Sequence, residues 1–241
     1  MILKSARGSP GRTAVAVPKP CQAQTGGRYL RAMDPFGERV TSEQELRDVV
    51  PAPPDGAPAL RKQIDHLDKH CRDFIARAPF FLLATASAAG DCDASPRGGP
   101  PGFVQVLDEH RLLVPEFPGN RRADSHRNLL ENPRAAMLFT IPGLRETLRV
   151  AGRACITRDE SLLGDLAVDG RTPKLGIGLA VEEAFIHCAK AFIRSGLWEP
   201  DTWPEELPSA SAVLRDHIDS PDVTTEQVAA RLRESYEKTL Y

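Results

Sequence analysis

Lysine is missing from the middle of this chain: between Cys71 and Pro173 there are thirteen arginines and no lysine. Long apolar runs are missing too. None approaches the ~20 residues that a membrane-crossing helix needs, so a soluble protein is expected. Cysteine is sparse and odd in number, five residues with no Cys-x-x-Cys, which argues against a disulfide framework or a zinc knuckle. Reduced thiols in a cytoplasmic protein are the plain reading. The formal net charge of −2 argues against a nucleic-acid partner. There is no Gly-x-Ser-x-Gly, no Gly-rich loop ending in Gly-Lys-Ser/Thr and no His-Glu-x-x-His. His187 and Cys188 are adjacent, so on a strand they face opposite ways and cannot form a dyad. Any enzymatic chemistry must then be carried by a cofactor that the protein positions.

Acid is absent from residues 1–32, which hold Lys4, Arg7, Arg12, Lys19, Arg28 and Arg31; against the total of −2, the remainder carries −8. This segment is polar, rich in Gly, Pro and Ser, and shows neither helical nor strand periodicity. It reads as a disordered basic tail or as an upstream extension with Met33 the working start. An organelle transit peptide is a third reading, and its short AVAV run is too small for a secretory signal.

The remaining chain reads as one domain with peripheral helices. Residues 33–78 are helical: SEQELRDVV has Ser42 and Glu45 at capping-box spacing, and PAPPDGAP breaks it. LRKQIDHLDKHCRDFIARAP then places Leu60, Ile64, Leu67, Cys71, Phe74 and Ile75 on one helical stripe. His66 and His70 fall four apart on that helix, a spacing that suits a metal or simply a polar face. From residue 79 to 205 short β-type runs alternate with turns. Phe80–Ala86 predicts a buried strand, and Cys92–Arg97 returns from it as an edge or bulged strand because of Pro96. FVQVL and RLLVP follow as a pair. A helix starts at Asp124 or Ser125, Ala135–Ile141 is a fifth strand, and Glu146–Thr157 a long sixth. Short helices and strands fill the chain to Cys188, with a last helical turn from Ala189 to Ser195. Residues 206–241 are a helical extension in which Thr224 and Gln227 have capping-box spacing and Val228, Leu232 and Tyr236 share a face. Six antiparallel strands with one helix tucked among them predict a small barrel, mostly β with peripheral helices.

An arginine stands at nearly every junction of this region. Arg97 lies between Ser95-Pro96 and Gly98-Gly99. Arg121 and Arg122 follow Gly119-Asn120 and lead into Asp124-Ser125, while Arg149 and Arg153 alternate with Val150 and Ala154 along a strand. A genome rich in G and C accounts for much of the arginine count. Arg97, Arg121 and Arg122 stand apart because small and polar neighbours let backbone approach a ligand, and planar guanidinium groups suit a phosphate-bearing cofactor.

SPRGGPPGFVQVLD, LLVPEFPGNRRADSHRNLLENP, LFTIPGLRETLRVAGRA and FIHCAKAFIRSGLW, in that order, resemble the FMN-binding flavoproteins of the pyridoxamine-5′-phosphate-oxidase class. More narrowly, they resemble a branch of that class with no firmly known substrate. The resemblance covers roughly residues 40–205. It implies a six-stranded antiparallel split β-barrel, a homodimer, and FMN at the subunit interface. By the same resemblance, Ser95, Arg97, Asn120, Arg121, Arg122 and Ser125 surround the FMN phosphate. Glu146 and Thr147 reach the polar edge of the flavin, or else are ordinary strand residues. Arg194 and Trp198 close the site from the second subunit, or else Trp198 anchors the surface.

Two positions depart from that class. Its oxidases carry a lysine where FVQVL ends, here Val106 or Leu107, and a Ser-Arg-Lys where this chain has Asn120-Arg121-Arg122. Arginine can replace lysine toward FMN phosphate, so the departures bear on the site for pyridoxal phosphate. The expected activity is electron or hydride transfer with an unidentified small molecule. A deazaflavin or haem in the same barrel, or a flavin-binding module without catalysis, are the rival readings.

Overall fold

A computed structural model describes residues 37–168 and 170–238. The expectations for residues 1–32 therefore lie outside the described residues. The chain divides into two compact units, Met1–Ala52 and Pro53–Tyr241. In the first, α1 (Glu43–Val49) begins as its capping residues dictate: Ser42 Oγ accepts from Glu45 N–H at 3.2 Å, and the Glu45 carboxylate reaches Thr41 N–H at 2.7 Å.

The second unit is built on an antiparallel sheet of β1 (Phe80–Ala86), β2 (Cys92–Gly98), β3 (Gln105–Asp108), β4 (Arg111–Glu116), β5 (Arg134–Thr140), β6 (Thr147–Thr157) and β7 (Leu175–His187). Its order is β2-β1-β5-β6-β7-β4-β3. Seven strands replace the expected six. The addition is the 13-residue β7, whose Gly176, Gly178 and Glu182-Glu183 blur any alternation of apolar and polar residues. It becomes a strand because β6 pairs along one side and β4 along the other. Among the described residues the sheet does not close by backbone hydrogen bonds: β2 and β3 remain as edges. Pro96 lies in the edge strand β2, where its missing N–H does no harm.

Alternation decides what is inside. On β1, Phe81, Leu83 and Thr85 point to the core, whereas Leu82 is 40% exposed, so the strand expected to be buried on both faces is covered on one. Phe81, Leu83, Leu112, Val114, Met137, Phe139, Leu148, Val150, Ile177 and Leu179 form the centre of the core. Phe139 and Phe103 flank the Phe81 ring at centroid distances of 4.9 and 5.8 Å.

The helix expected from Leu60 to Ile75 is two helices, α2 (Pro58–Arg61) and α3 (Lys69–Arg77). Between them Ile64 leaves the helical path and exchanges both backbone hydrogen bonds with Ala184 of β7, at 3.0 and 2.7 Å. Asp68 then restarts the helix, its Oδ1 accepting from the N–H groups of His70 and Cys71 at 3.0 and 2.8 Å. His66 thus precedes the helix that holds His70, and its Nδ1 lies 2.9 Å from Asp65. The two histidines do not share a helical face, and no group of three potential metal ligands occurs among the described residues.

Between β4 and β5 comes α4 (Asp124–Glu131), which packs on β1, β2 and β6. After β6 and β7 come α5 (Glu160–Leu163) and α6 (Lys190–Ser195), the latter ended by Gly196 in a left-handed conformation (φ 62°). The chain closes with α7 (Ala210–Ile218) and α8 (Thr225–Lys238). At the start of α8, Thr224 and Gln227 form the expected reciprocal capping box, at 3.3 and 2.9 Å. Val228 is buried and Leu232 half-buried, but Tyr236 is exposed, so the apolar face expected on α8 is covered along its first half only. No described helix is long and apolar enough to cross a membrane.

One glycine is indispensable to the sheet. The β6–β7 register slips between Ala151 and Gly152, and a Cβ on Gly152 would stand 2.0 Å from the Ala180 carbonyl oxygen. Gly152→Ala is expected to cost about 1–3 kcal/mol or more, since backbone must move to admit the methyl group. Urea unfolding measures it, and a loss below about 0.5 kcal/mol would show that the bulge yields freely.

Candidate functional site

The edge strand β2 carries Asp93, Ser95 and Arg97 on alternate positions. In register these face Thr85, Leu83 and Phe81 of β1, all three buried, so they look toward the inner side of the sheet. There they meet the end of β4, which supplies Glu116, and the start of α4, which supplies Ser125 and His126. A loop from Phe117 to Ala123 joins these two elements. Its chemistry is local: Asn120 Oδ1 accepts from Arg122 N–H at 3.0 Å, and Arg122 Nε donates to Asp124 at 2.7 Å. Arg121 and Ala123 are both left-handed, with φ of 61° and 57°, a conformation non-glycine residues seldom adopt. Ala123 leaves the first turn of α4 without a side-chain cap. Helix starts with open N–H groups attract anions.

A polar network lies under this loop. Arg97 Nη1 is ion-paired with Glu116 Oε1, Nη2 donates to Ser125 Oγ at 3.3 Å, and Nε donates to Ser95 Oγ at 3.4 Å. The two serine oxygens are 3.0 Å apart, and Ser125 donates onward to Asp93 at 2.6 Å. His126 Nε2 stands 3.3 Å from the second Glu116 oxygen, within ion-pair range but outside hydrogen-bond geometry, and its buried Nδ1 has no partner. Side-chain exposure is 9% at Glu116, 17% at His126 and 19% at Arg97. Burial pushes the Glu116 carboxyl up, but the opposing pull of His126 and Arg97 outweighs it and holds the group below its ordinary value.

Together these elements line a cleft of about 780 Å³, completed by Arg171, Thr172, Pro173 and Lys174 from the segment before β7. The structure therefore brings together Ser95, Arg97, Asn120, Arg121, Arg122 and Ser125. Glu146, Thr147, Arg194 and Trp198 do not line it. Glu146 and Thr147 follow the β5–β6 turn, and Trp198 packs beside it: its Nε1 donates to the Leu144 carbonyl at 2.9 Å and its ring stacks on Phe192, while Glu199 pairs with Arg145. Thr147 is buried opposite His187, and Arg194 is exposed on α6. Arg149 is elsewhere again. It lines a trough of about 510 Å³ floored by alanines, beside Glu183.

Sequence reasoning missed Asp93, Glu116, His126, Arg171 and Lys174. Asp93 was within reach, since it alternates with Ser95 and Arg97. Glu116 was too, as the one carboxylate on β4, in step with the apolar Leu112 and Val114. Burial above all pushes the Cys71 thiol up to about 11, away from the reactive thiolate form.

The family model for pyridoxamine 5'-phosphate oxidase matches residues 67–188, just over half of the chain. The chain belongs to the pyridoxamine 5'-phosphate oxidase family. The matched span includes the strands and the whole cleft, while Arg194, Trp198, α7 and α8 lie beyond it. The pyridoxine/pyridoxamine 5'-phosphate oxidase of Anaeromyxobacter dehalogenans is 34% identical over 103 residues, covering 43% of this chain and 48% of that protein. The chain thus spans about half the length of this curated relative. Among solved structures, HupZ of Group A Streptococcus is 18% identical, with a TM-score of 0.42 over 49% of this chain and 92% of that one. An FMN-binding protein of Syntrophomonas wolfei is 10% identical, with a TM-score of 0.38 over 48% of this chain and 88% of that one.

Proposed function

We propose that this chain is an FMN-dependent oxidoreductase of the cytoplasm, acting as a homodimer on a small molecule. The observation that carries the reading is the donor set of the cleft. Arg121, Arg122 and the uncapped first turn of α4 converge on one concave surface, with Arg97 and the two serines that brace it beneath. This is what a phosphate monoester needs: charged forks and open backbone N–H groups within one small volume. A volume of about 780 Å³ also suits a cofactor of this size. When bound, FMN supplies electron or hydride transfer, and the protein supplies binding and orientation. Ser95, Arg97, Asn120, Arg121, Arg122 and Ser125 would hold the phosphate end. Glu146, Thr147, Arg194 and Trp198 lie outside this cleft on the same chain. Their separation from the phosphate end supports a homodimer, in which a second copy would bring them to the flavin end.

Titration of the purified protein with FMN and with riboflavin, followed by flavin fluorescence, tests the reading. FMN should bind at least about a hundredfold more tightly, the difference expected from two charge-assisted phosphate contacts. Equal affinity for both, or binding of neither, would refute it.

A further inference from the structure

The Arg97–Glu116 contact joins two strands that never pair. β2 is the first strand in the sheet order and β4 the sixth, so this ion pair spans the open seam where backbone hydrogen bonding stops. His126 brings α4 to the other oxygen of the same carboxylate. Glu116 is thus a hub between three elements, at the floor of the cleft.

A carboxylate beneath an anion site poses an electrostatic problem, because its own field repels the ligand. The geometry offsets this. Each Glu116 oxygen has a basic side chain against it, Arg97 on one and His126 on the other. Arg97 carries five N–H groups. One on Nη1 goes to Glu116, one on Nη2 to Ser125, and the Nε one to Ser95. Two remain, one on each terminal nitrogen, and both can donate to an anion.

We propose that Glu116 is the positioning residue of this anion site, holding Arg97 and His126 across the seam so that the free N–H pair of Arg97 serves the phosphate of the bound ligand. This rests on the reading that the cleft takes FMN by its phosphate. Glu116 acts through Arg97, not through contact with the ligand.

Two physical effects predict opposite signs for Glu116→Gln, which keeps the shape and removes the charge. If the carboxylate acts only through its field, its loss frees a cation and FMN binds more tightly. If it positions Arg97, the guanidinium is released from its geometry and FMN binds more weakly. The full-length chain and the E116Q and E116D variants are titrated with FMN and riboflavin. Inorganic phosphate is used as a second probe, read by the shift in Tm. E116Q should weaken FMN about tenfold, leave riboflavin unchanged, and abolish the rise in Tm that inorganic phosphate gives the unaltered protein. E116D, which keeps the charge on a shorter arm, should fall between the two. Tighter FMN binding by E116Q, or an equal loss for FMN and riboflavin, overturns the inference while leaving the FMN reading intact. An unaltered protein that does not distinguish FMN from riboflavin removes both. Should E116Q fail to fold, E116D decides: a loss confined to FMN supports the role, and a loss shared with riboflavin overturns it.

Discussion

Removing both Arg121 and Arg122 as alanine substitutions is expected to weaken FMN binding by at least a hundredfold, with riboflavin unaffected. Each guanidinium that donates to phosphate contributes about 1.5–3 kcal/mol, which is roughly ten- to hundredfold in affinity. Both side chains line the cleft, and Arg122 is oriented by Asp124 at 2.7 Å. Alanine keeps the left-handed φ at position 121 no more and no less strained than arginine does, so the loop conformation is not itself the variable. Arg134→Ala and Arg158→Ala are the comparison. Arg134 pairs with the half-exposed Glu182 outside the cleft, and surface pairs of that kind contribute about 0–1 kcal/mol. Neither comparison should change the affinity for FMN by more than about twofold. Four substitutions that behave alike, or a parallel loss for riboflavin, would mean that the basic loop is structural.

The largest effect on stability is expected at Phe139. Its side chain is fully buried and its ring lies 4.9 Å from that of Phe81, which in turn stands opposite Arg97 in the β1–β2 register. Phe139→Ala removes that contact and leaves a void between β5 and β1, a change that costs about 3–5 kcal/mol. For a protein of this size the melting temperature should fall by roughly 6–20 °C. The loss belongs to the core, not to the ligand site. At temperatures where the variant remains folded, its preference for FMN over riboflavin should be unchanged. A fall of less than about 3 °C in Tm, by circular dichroism, would show that the aromatic cluster is less closed than its burial indicates.

The two variants separate what the chain states locally from what only packing states. Ser42, Thr224 and Gln227 start helices because their side chains bond to backbone a few residues away, and those signals read correctly along the chain. Pro96 marked an edge strand for the same local reason. The helix expected between Leu60 and Ile75 had every local sign in its favour except Asp68. It breaks because Ile64 finds backbone partners on Ala184, more than a hundred residues later. The strand β7 went uncounted among the short helices and strands expected before Cys188 for the converse reason: its glycines and paired glutamates blur the alternation, and two neighbouring strands impose the conformation.

The site divides in the same way. The sequence by itself determined that arginines 97, 121 and 122 sit among small, polar residues at turns and a helix start, because that is a matter of adjacency. It also determined the absence of any self-sufficient catalytic motif. Only the tertiary structure decided that Arg97 is engaged by Glu116, that His126 and Asp93 belong to the same network, and that Glu146, Thr147, Arg194 and Trp198 lie apart from the cleft. Those outcomes depend on which strands become neighbours across a sheet that stays open. A buried ion pair between strands first and sixth in that order follows from long-range closure of the chain, and no spacing along the sequence encodes it.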